Sequence, residues 1–193
     1  MTTEEQIKQF KKICAAIVPF TDEEWQAMEQ CVRVKKLYKN EYFVKQGETC
    51  TRMAFVSKGY SRLYFLMDGE EITKDFCFEE TFTGSFAGFL SRKPSAFNVV
   101  AMEDMLLLTI EYNALMNLYE RYMCWNTFGR IVAEQFAIRK ENREVTFLLY
   151  PPEKRYLEVT EKYPYILQRV PLKIVASYLN MTPETLSRIR SKQ

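Results

Sequence analysis

Arg169-Val-Pro-Leu-Lys-Ile-Val-Ala-Ser-Tyr-Leu-Asn-Met-Thr-Pro-Glu-Thr-Leu-Ser-Arg-Ile-Arg-Ser-Lys192 reads as two short helices joined by a tight turn. The first helix would carry Ile174, Val175 and Leu179 on one side, with small Ala176 where a second helix can cross closely. Asn180 stands at the break, and Asn tolerates the left-handed conformation that a tight turn demands. Thr182 reads as an N-cap and Pro183 takes the first helical position, where a missing N–H costs nothing. Leu186 and Ile189 turn back toward the first helix. Glu184, Ser187, Arg188 and Ser191 fall on the opposite, solvent-facing arc.

A second helix of this kind suits the major groove of DNA. Its first turn is short and polar, so base edges can be approached, and Arg188 is placed to meet a guanine with paired hydrogen bonds. Thr185 and Arg190 are better placed for phosphates, as are the free N–H groups of the first turn. The candidate DNA-binding set is therefore Thr182, Pro183, Glu184, Thr185, Ser187, Arg188 and Arg190. The same spacing also fits an ordinary helical hairpin with no DNA to read.

Charge is distributed in keeping with the first reading. From Pro151 onward eight Lys or Arg stand against four Glu, a surplus of four in a chain whose net charge is +2. A small basic module on a mildly acidic body is the asymmetry of a DNA-contacting end. With 47% apolar and 15% aromatic residues in 193, there is material for one large domain or a larger plus a smaller one. No apolar run is long enough to span a membrane, and the polar, amphipathic Met1–Phe10 lacks a signal-peptide core, so a cytoplasmic location is expected. Cys14, Cys31, Cys50, Cys77 and Cys124 form no close pair and the chain has no His, which disfavours a metal or cluster site and leaves free thiols. No cofactor is expected.

The remaining pattern indicates an α+β fold. Ile7, Phe10, Ile13, Cys14 and Ile17 recur at helix spacing up to Pro19, and Thr21-Asp-Glu-Glu24 is a capping box for a second helix burying Trp25, Met28 and Val32. Short strands follow at Leu37–Val44, Met53–Val56, Tyr60–Met67, Ile72–Phe78, Asn98–Ala101 and Met105–Ile110, punctuated by Gly47, Gly59 and Asp68-Gly69. In the third of them Leu63, Phe65 and Met67 oppose Tyr60, Arg62 and Tyr64. Asp-Gly is among the strongest hairpin signals, and strands at this spacing suggest an antiparallel jelly-roll or barrel. Asn113–Glu120 reads as a short helix, and a long one is expected over about 120–149. Tyr122, Trp125, Phe128, Val132 and Phe136 form its apolar stripe, which could cover the barrel or make a seam between two copies of the chain. Pro151-Pro152 ends that helix. The expected domains are thus 1–150, for sensing and dimerisation, and 151–193, a helix-turn-helix domain.

N-terminal helices, a Gly-punctuated barrel, a long helix and a terminal helix-turn-helix together resemble the Crp/Fnr family of bacterial transcription regulators. Tyr42–Leu66 looks like that family's cyclic-nucleotide-binding fold, with Gly47 and Gly59 at strand turns. Glu153-Lys-Arg-Tyr-Leu-Glu-Val, Tyr163-Pro164 and Arg169-Val-Pro171 resemble its linker into the DNA-binding domain. Ala176–Arg188 is similar to its recognition unit, with Glu184, Thr185 and Arg188 on positions that touch DNA there. The compact tail without a following β-hairpin wing looks like the short branch common among Bacteroidetes regulators.

The resemblance implies an effector pocket at Gly84, Ser85, Phe86, Ser95, Ala96 and Phe97. Nucleotide-binding members offer a Gly-Glu pair for the ribose there, and an Arg before Ser or Thr for the cyclic phosphate. Here Gly84 remains, Ser85 replaces the acid, and Pro94 or Ser95 stands where the Arg should be. A buried phosphate without a guanidinium loses its charge-assisted pair, so cyclic AMP is not the expected effector; Arg92 or Lys93 could substitute only with a re-routed loop. The Cys cluster and His that hold iron–sulfur or haem in other members are also missing.

The leading expectation is a homodimeric regulator reading a near-palindromic site. The partners would be double-stranded DNA and a second copy of the chain, with RNA polymerase and an unnamed small effector as further candidates. The competing reading is a small-molecule-binding module whose helical tail serves assembly. No catalytic constellation stands out, and the acidic runs Asp68–Glu71 and Glu79-Glu80 read as solvated turns.

Overall fold

The computed structural model describes residues 1–192; Gln193, the last residue of the second expected domain, lies outside them. Two capping boxes start the chain. Thr2 and Glu5 open α1 (Thr3–Ile17), and Thr21 and Glu24 open α2 (Asp22–Cys31). In the second box the Glu24 N–H donates to Thr21 Oγ1 at 3.3 Å while the Thr21 N–H donates to the Glu24 carboxylate at 2.7 Å. Each satisfies a backbone donor the helix leaves orphaned.

The strands β1 (Val32–Leu37), β2 (Tyr42–Val44), β3 (Arg52–Lys58), β4 (Ser61–Met67), β5 (Glu70–Cys77), β6 (Phe82–Thr83), β7 (Asn98–Ala101) and β8 (Met105–Glu111) form two sheets. Their orders are β1-β8-β3-β6 and β2-β7-β4-β5. The last strand thus lies between the first and third, antiparallel to both, which is the crossed connection of a jelly roll rather than a simple meander. Between the sheets lie Val56, Leu63, Val99 and Leu107, with Phe89 and Phe97, all buried. At the β4–β5 turn Asp68 and Gly69 both have positive φ, +50° and +83°, as a two-residue hairpin loop requires.

A second apolar cluster joins α1, α2 and β3 to α4 (Tyr112–Arg121) and α5 (Met123–Leu149). It is aromatic: Phe10, Trp25, Phe55, Trp125 and Phe128 are all buried. A Cβ at Gly129 would overlap the hydroxyl end of the Tyr119 side chain, so α4 and α5 meet where α5 has no side chain.

The structure corrects several expectations. Leu37–Val44 is not one strand: the chain breaks between β1 and β2, where Asn40 is left-handed at φ +70° and Glu41 accepts the Tyr38 N–H at 2.8 Å. Strand β6 and the short α3 (Phe86–Ser91) were not expected. In β4 both faces are covered as far as Tyr64, Arg62 included, while Met67 at the end of the strand is 59% exposed. The long helix starts at Met123 rather than 120, because Tyr122 is extended (φ −133°) and ends α4.

Most consequential, Trp125 and Phe128 are spent inside the subunit. They are 1% and 7% exposed, so the expected seam of Tyr122, Trp125, Phe128, Val132 and Phe136 loses two members to the chain's own core. A stripe at helix spacing reports that a face is buried, not against what.

By internal packing the chain divides into two compact units. One comprises Met1–Leu66 with Lys74–Ala133. The other comprises Met67–Thr73 and the chain from Glu134 onward, and so takes in the second half of α5 as well as α6 (Pro152–Lys162), α7 (Pro164–Arg169), α8 (Leu172–Tyr178) and α9 (Pro183–Arg190). Its core is Tyr156, Val159, Ile166, Val175, Leu179, Leu186 and Ile189, all buried. Within it the Ser177 hydroxyl accepts the Thr73 N–H at 2.9 Å and donates to the Glu71 carbonyl at 3.2 Å. Among the described residues no helix is long and apolar enough to cross a membrane, and no cluster of metal-ligating side chains is present.

Candidate nucleic-acid interface

Local chemistry builds the α8–α9 helix pair. Helix α8 buries Val175 and Ala176 completely and ends in a Schellman motif, with Asn180 left-handed at φ +51°. The Met181 N–H returns to the Ala176 carbonyl at 3.0 Å and the Asn180 N–H to the Ser177 carbonyl at 3.1 Å. Helix α9 begins two residues later. The Thr182 side chain accepts the Thr185 N–H at 3.2 Å, and Pro183 occupies the first turn.

Leu186 and Ile189 anchor α9 from beneath, 1% and 3% exposed. The opposite arc is open. Pro183, Glu184, Ser187, Arg188 and Ser191 line one shallow hollow on it. Thr182 and Arg190 are exposed and Thr185 is half-buried. Among the described residues neither Arg188 nor Arg190 is held in an ion pair. The Glu184 carboxyl is lowered from its ordinary value, first by its own backbone N–H at the helix start and then by the Thr182 hydroxyl. All seven residues read from the sequence as a DNA-binding set thus sit on or at the start of one helix.

The residues expected to form an effector pocket are arranged differently. Gly84 and Ser85 lead into α3 with the Ser85 side chain buried, and the Ser85 N–H points to Cys50 Sγ at 3.4 Å. Ser95 lies before β7, its hydroxyl donating to the Phe97 carbonyl at 2.6 Å. Arg92 donates to the Cys50 carbonyl at 3.5 Å and stacks over the Tyr112 ring at 4.4 Å. Phe97 is buried beside Phe65, Phe86 packs on the same core, and Ala96 is exposed. The Ser95 hydroxyl is thus engaged with its own backbone, while the Arg92 and Lys93 side chains are exposed.

Sequence reasoning missed two cations behind the helix pair, Arg143 on α5 and Arg155 on α6, which reach the backbone carbonyls at the end of α8. Arg155 lies in the linker run quoted from the sequence, but nothing in its spacing announces that contact.

Residues 34–122 match the family model of the cyclic nucleotide-binding domain. The Catabolite Activator Protein of Thermus thermophilus is similar in structure, with 18% identity, a TM-score of 0.58 and coverage of 93% of this chain and 85% of that one. FixK2 from Bradyrhizobium japonicum gives 17% identity and a TM-score of 0.67, covering 83% of each chain. A chain from Eubacterium rectale assigned to the Crp/Fnr family of transcriptional regulators gives 16% identity and a TM-score of 0.67, covering 90% of this chain and 83% of that one. This chain has the Crp/Fnr fold. No curated protein matches it by sequence. The Crp/Fnr fold is therefore carried here by strand order, helix placement and burial, at identities too low to carry over any neighbour's ligand.

Proposed function

We propose that the chain is a homodimeric, sequence-specific DNA-binding regulator rather than an enzyme. The observation that carries this reading is the α9 arc, where Glu184, Ser187 and Arg188 stand clear of the core while Leu186 and Ile189 hold the helix down. Pro183 lies on the same arc, Thr182 caps the helix, and Thr185 and Arg190 flank the arc at phosphate-facing positions. The Crp/Fnr fold supports it, since solved chains of that fold include regulators. For a second copy, α5 offers exposed apolar side chains at Ile138, Leu148 and Leu149, with half-buried Phe136 on the same helix; Tyr122, at the end of α4, and Val132 are half-buried against the subunit's own core. Two α9 helices set about 34 Å apart would then enter successive major grooves.

The 1–150 segment would hold any effector and the 151–192 segment would read DNA. Cyclic AMP is not the expected effector, because Ser85 stands in place of the acid and Pro94 or Ser95 in place of the Arg that nucleotide-binding members offer. Selection of binding sites from random duplex DNA with purified protein and no ligand tests the reading. A near-palindromic enriched sequence is expected. Failure to enrich any sequence at low salt would overturn it.

A further inference from the structure

We propose that Arg143 and Arg155 are positioning residues of the reading head, clasping the carbonyls that end α8 and so fixing the direction in which α9 projects. The proposal rests on reading α9 as the DNA-contacting helix.

A helix end leaves carbonyls without partners, and a turn pinned only from within can still swing about them. Here the Schellman bonds satisfy the Ala176 and Ser177 carbonyls. The next three carbonyls in the chain are taken by two guanidinium groups from two other helices. Arg143 Nη2 donates to the Tyr178 carbonyl at 3.1 Å. Arg155 Nη1 donates to the Leu179 carbonyl at 2.6 Å and to that of Asn180 at 3.3 Å. Both cations also pack on one ring, Phe147, at 4.5 and 5.4 Å from its centroid, and Arg143 stacks on Tyr178 at 4.0 Å.

Three properties make this a clasp rather than an incidental contact. A cation at a helix C-terminus is favoured by the backbone dipole. Guanidinium is planar and fixed, so it holds a carbonyl in direction as well as distance. And the residues held, Tyr178 to Asn180, include the left-handed pivot from which α9 starts. A change of direction at Asn180 redirects Arg188, although neither Arg143 nor Arg155 belongs to the DNA-facing arc.

The test uses the full chain with Arg143→Ala and Arg155→Ala, each beside its Lys counterpart. Two duplexes are compared: one carrying the sequence enriched by the wild type, the other of random sequence. Hydrogen bonds to a charged group shift equilibria by about tenfold or more, so affinity for the enriched duplex should fall by that factor in the Ala variants. Affinity for the random duplex should change little, and the Lys variants should recover part of the loss. The salt dependence should keep its wild-type slope. A slope reduced by about 0.9 would make the residue a direct phosphate contact and overturn the positioning role. Unchanged affinity for the enriched duplex in both Ala variants would overturn it too.

Hydrogen exchange supplies a readout free of DNA. Amides from Met181 through Leu186 should exchange faster in the Ala variants while those of α6 keep their wild-type rates; unaltered exchange in both variants refutes the clasp. A wild type that enriches no sequence would overturn the DNA reading instead, and the exchange rates would still decide whether the turn is clasped.

Discussion

Trp125 donates its indole N–H to the backbone carbonyl of Glu24 at 2.9 Å, tying the first turn of α5 to α2. The ring also stacks on Phe20 at 5.4 Å and lies 6.2 Å from Trp25. Burial of a large ring with its polar atom satisfied is the arrangement a core tolerates best. Trp125→Phe should therefore lose one hydrogen bond, about 1 kcal/mol, and Trp125→Ala about 3–5 kcal/mol. Urea unfolding measures both. A smaller loss for Trp125→Ala than for Trp125→Phe would contradict the assignment to the core.

Gly129→Ala introduces a methyl group where the Tyr119 ring already lies. Overpacking of this kind costs about 1–3 kcal/mol, and Tyr119→Ala in the same chain should return part of it. Thermal unfolding of the two single variants and the double variant gives the coupling. Strict additivity would show that the two positions do not meet.

Arg188→Ala should weaken binding to the enriched duplex by about 1–3 kcal/mol and relax preference at one base pair in each half-site. Arg190→Ala should weaken all sequences alike and lower the salt slope by about 0.9. Repeating the site selection with each variant separates the two. An unaltered enriched sequence with Arg188→Ala would remove that residue from base reading.

Two thiols should be slow to alkylate in the folded chain. Burial raises the Cys14 thiol far above its ordinary range. Burial first, then the hydrogen bond and charge of Glu24, push Cys124 up to about 11. Only the thiolate attacks, so at pH 8 both should react with iodoacetamide much more slowly than in urea, as followed by mass spectrometry. The linkage has a definite sign. A folded pKa above the unfolded one favours the protonated thiol, so the Cys124 contribution is full below the unfolded value of about 8.5 and is lost as pH rises through about 11. Cys124→Ala should flatten part of that alkaline decline; an identical decline would show that other groups cause it.

The α8–α9 helix pair was legible because its determinants are local. The Asn180 turn, the Thr182 cap, Pro183 and the Leu186–Ile189 pair act within a few residues of one another, and all of them stand in the structure where the spacing puts them. The barrel was legible in outline only. The Asp68-Gly69 loop declares itself, whereas the break at Asn40 depends partly on a bond from its N–H to the Ala101 carbonyl, sixty-one positions away in the chain. A two-residue strand such as β6 has no period to detect. The α5 stripe was legible only as a buried face: helix spacing identifies Trp125 and Phe128 as buried without naming the surface, and that surface came from α1, α2 and β3. Arg143 and Arg155 gave no signal at all, since a cation on a helix face looks the same whether it meets water or a carbonyl.

The pieces that support the helix pair are scattered along the sequence: Glu71 and Thr73 in one hairpin, Arg143 and Phe147 on α5, Arg155 on α6. Severing the chain at Pro151-Pro152 would therefore deliver the two helices without the first four of those supports. A transplant meant to carry the helix pair, with its orientation kept, onto another scaffold would have to begin within α5, upstream of Arg143, and bring a surrogate for the hairpin tip. The minimal portable part is larger than the helix-turn-helix.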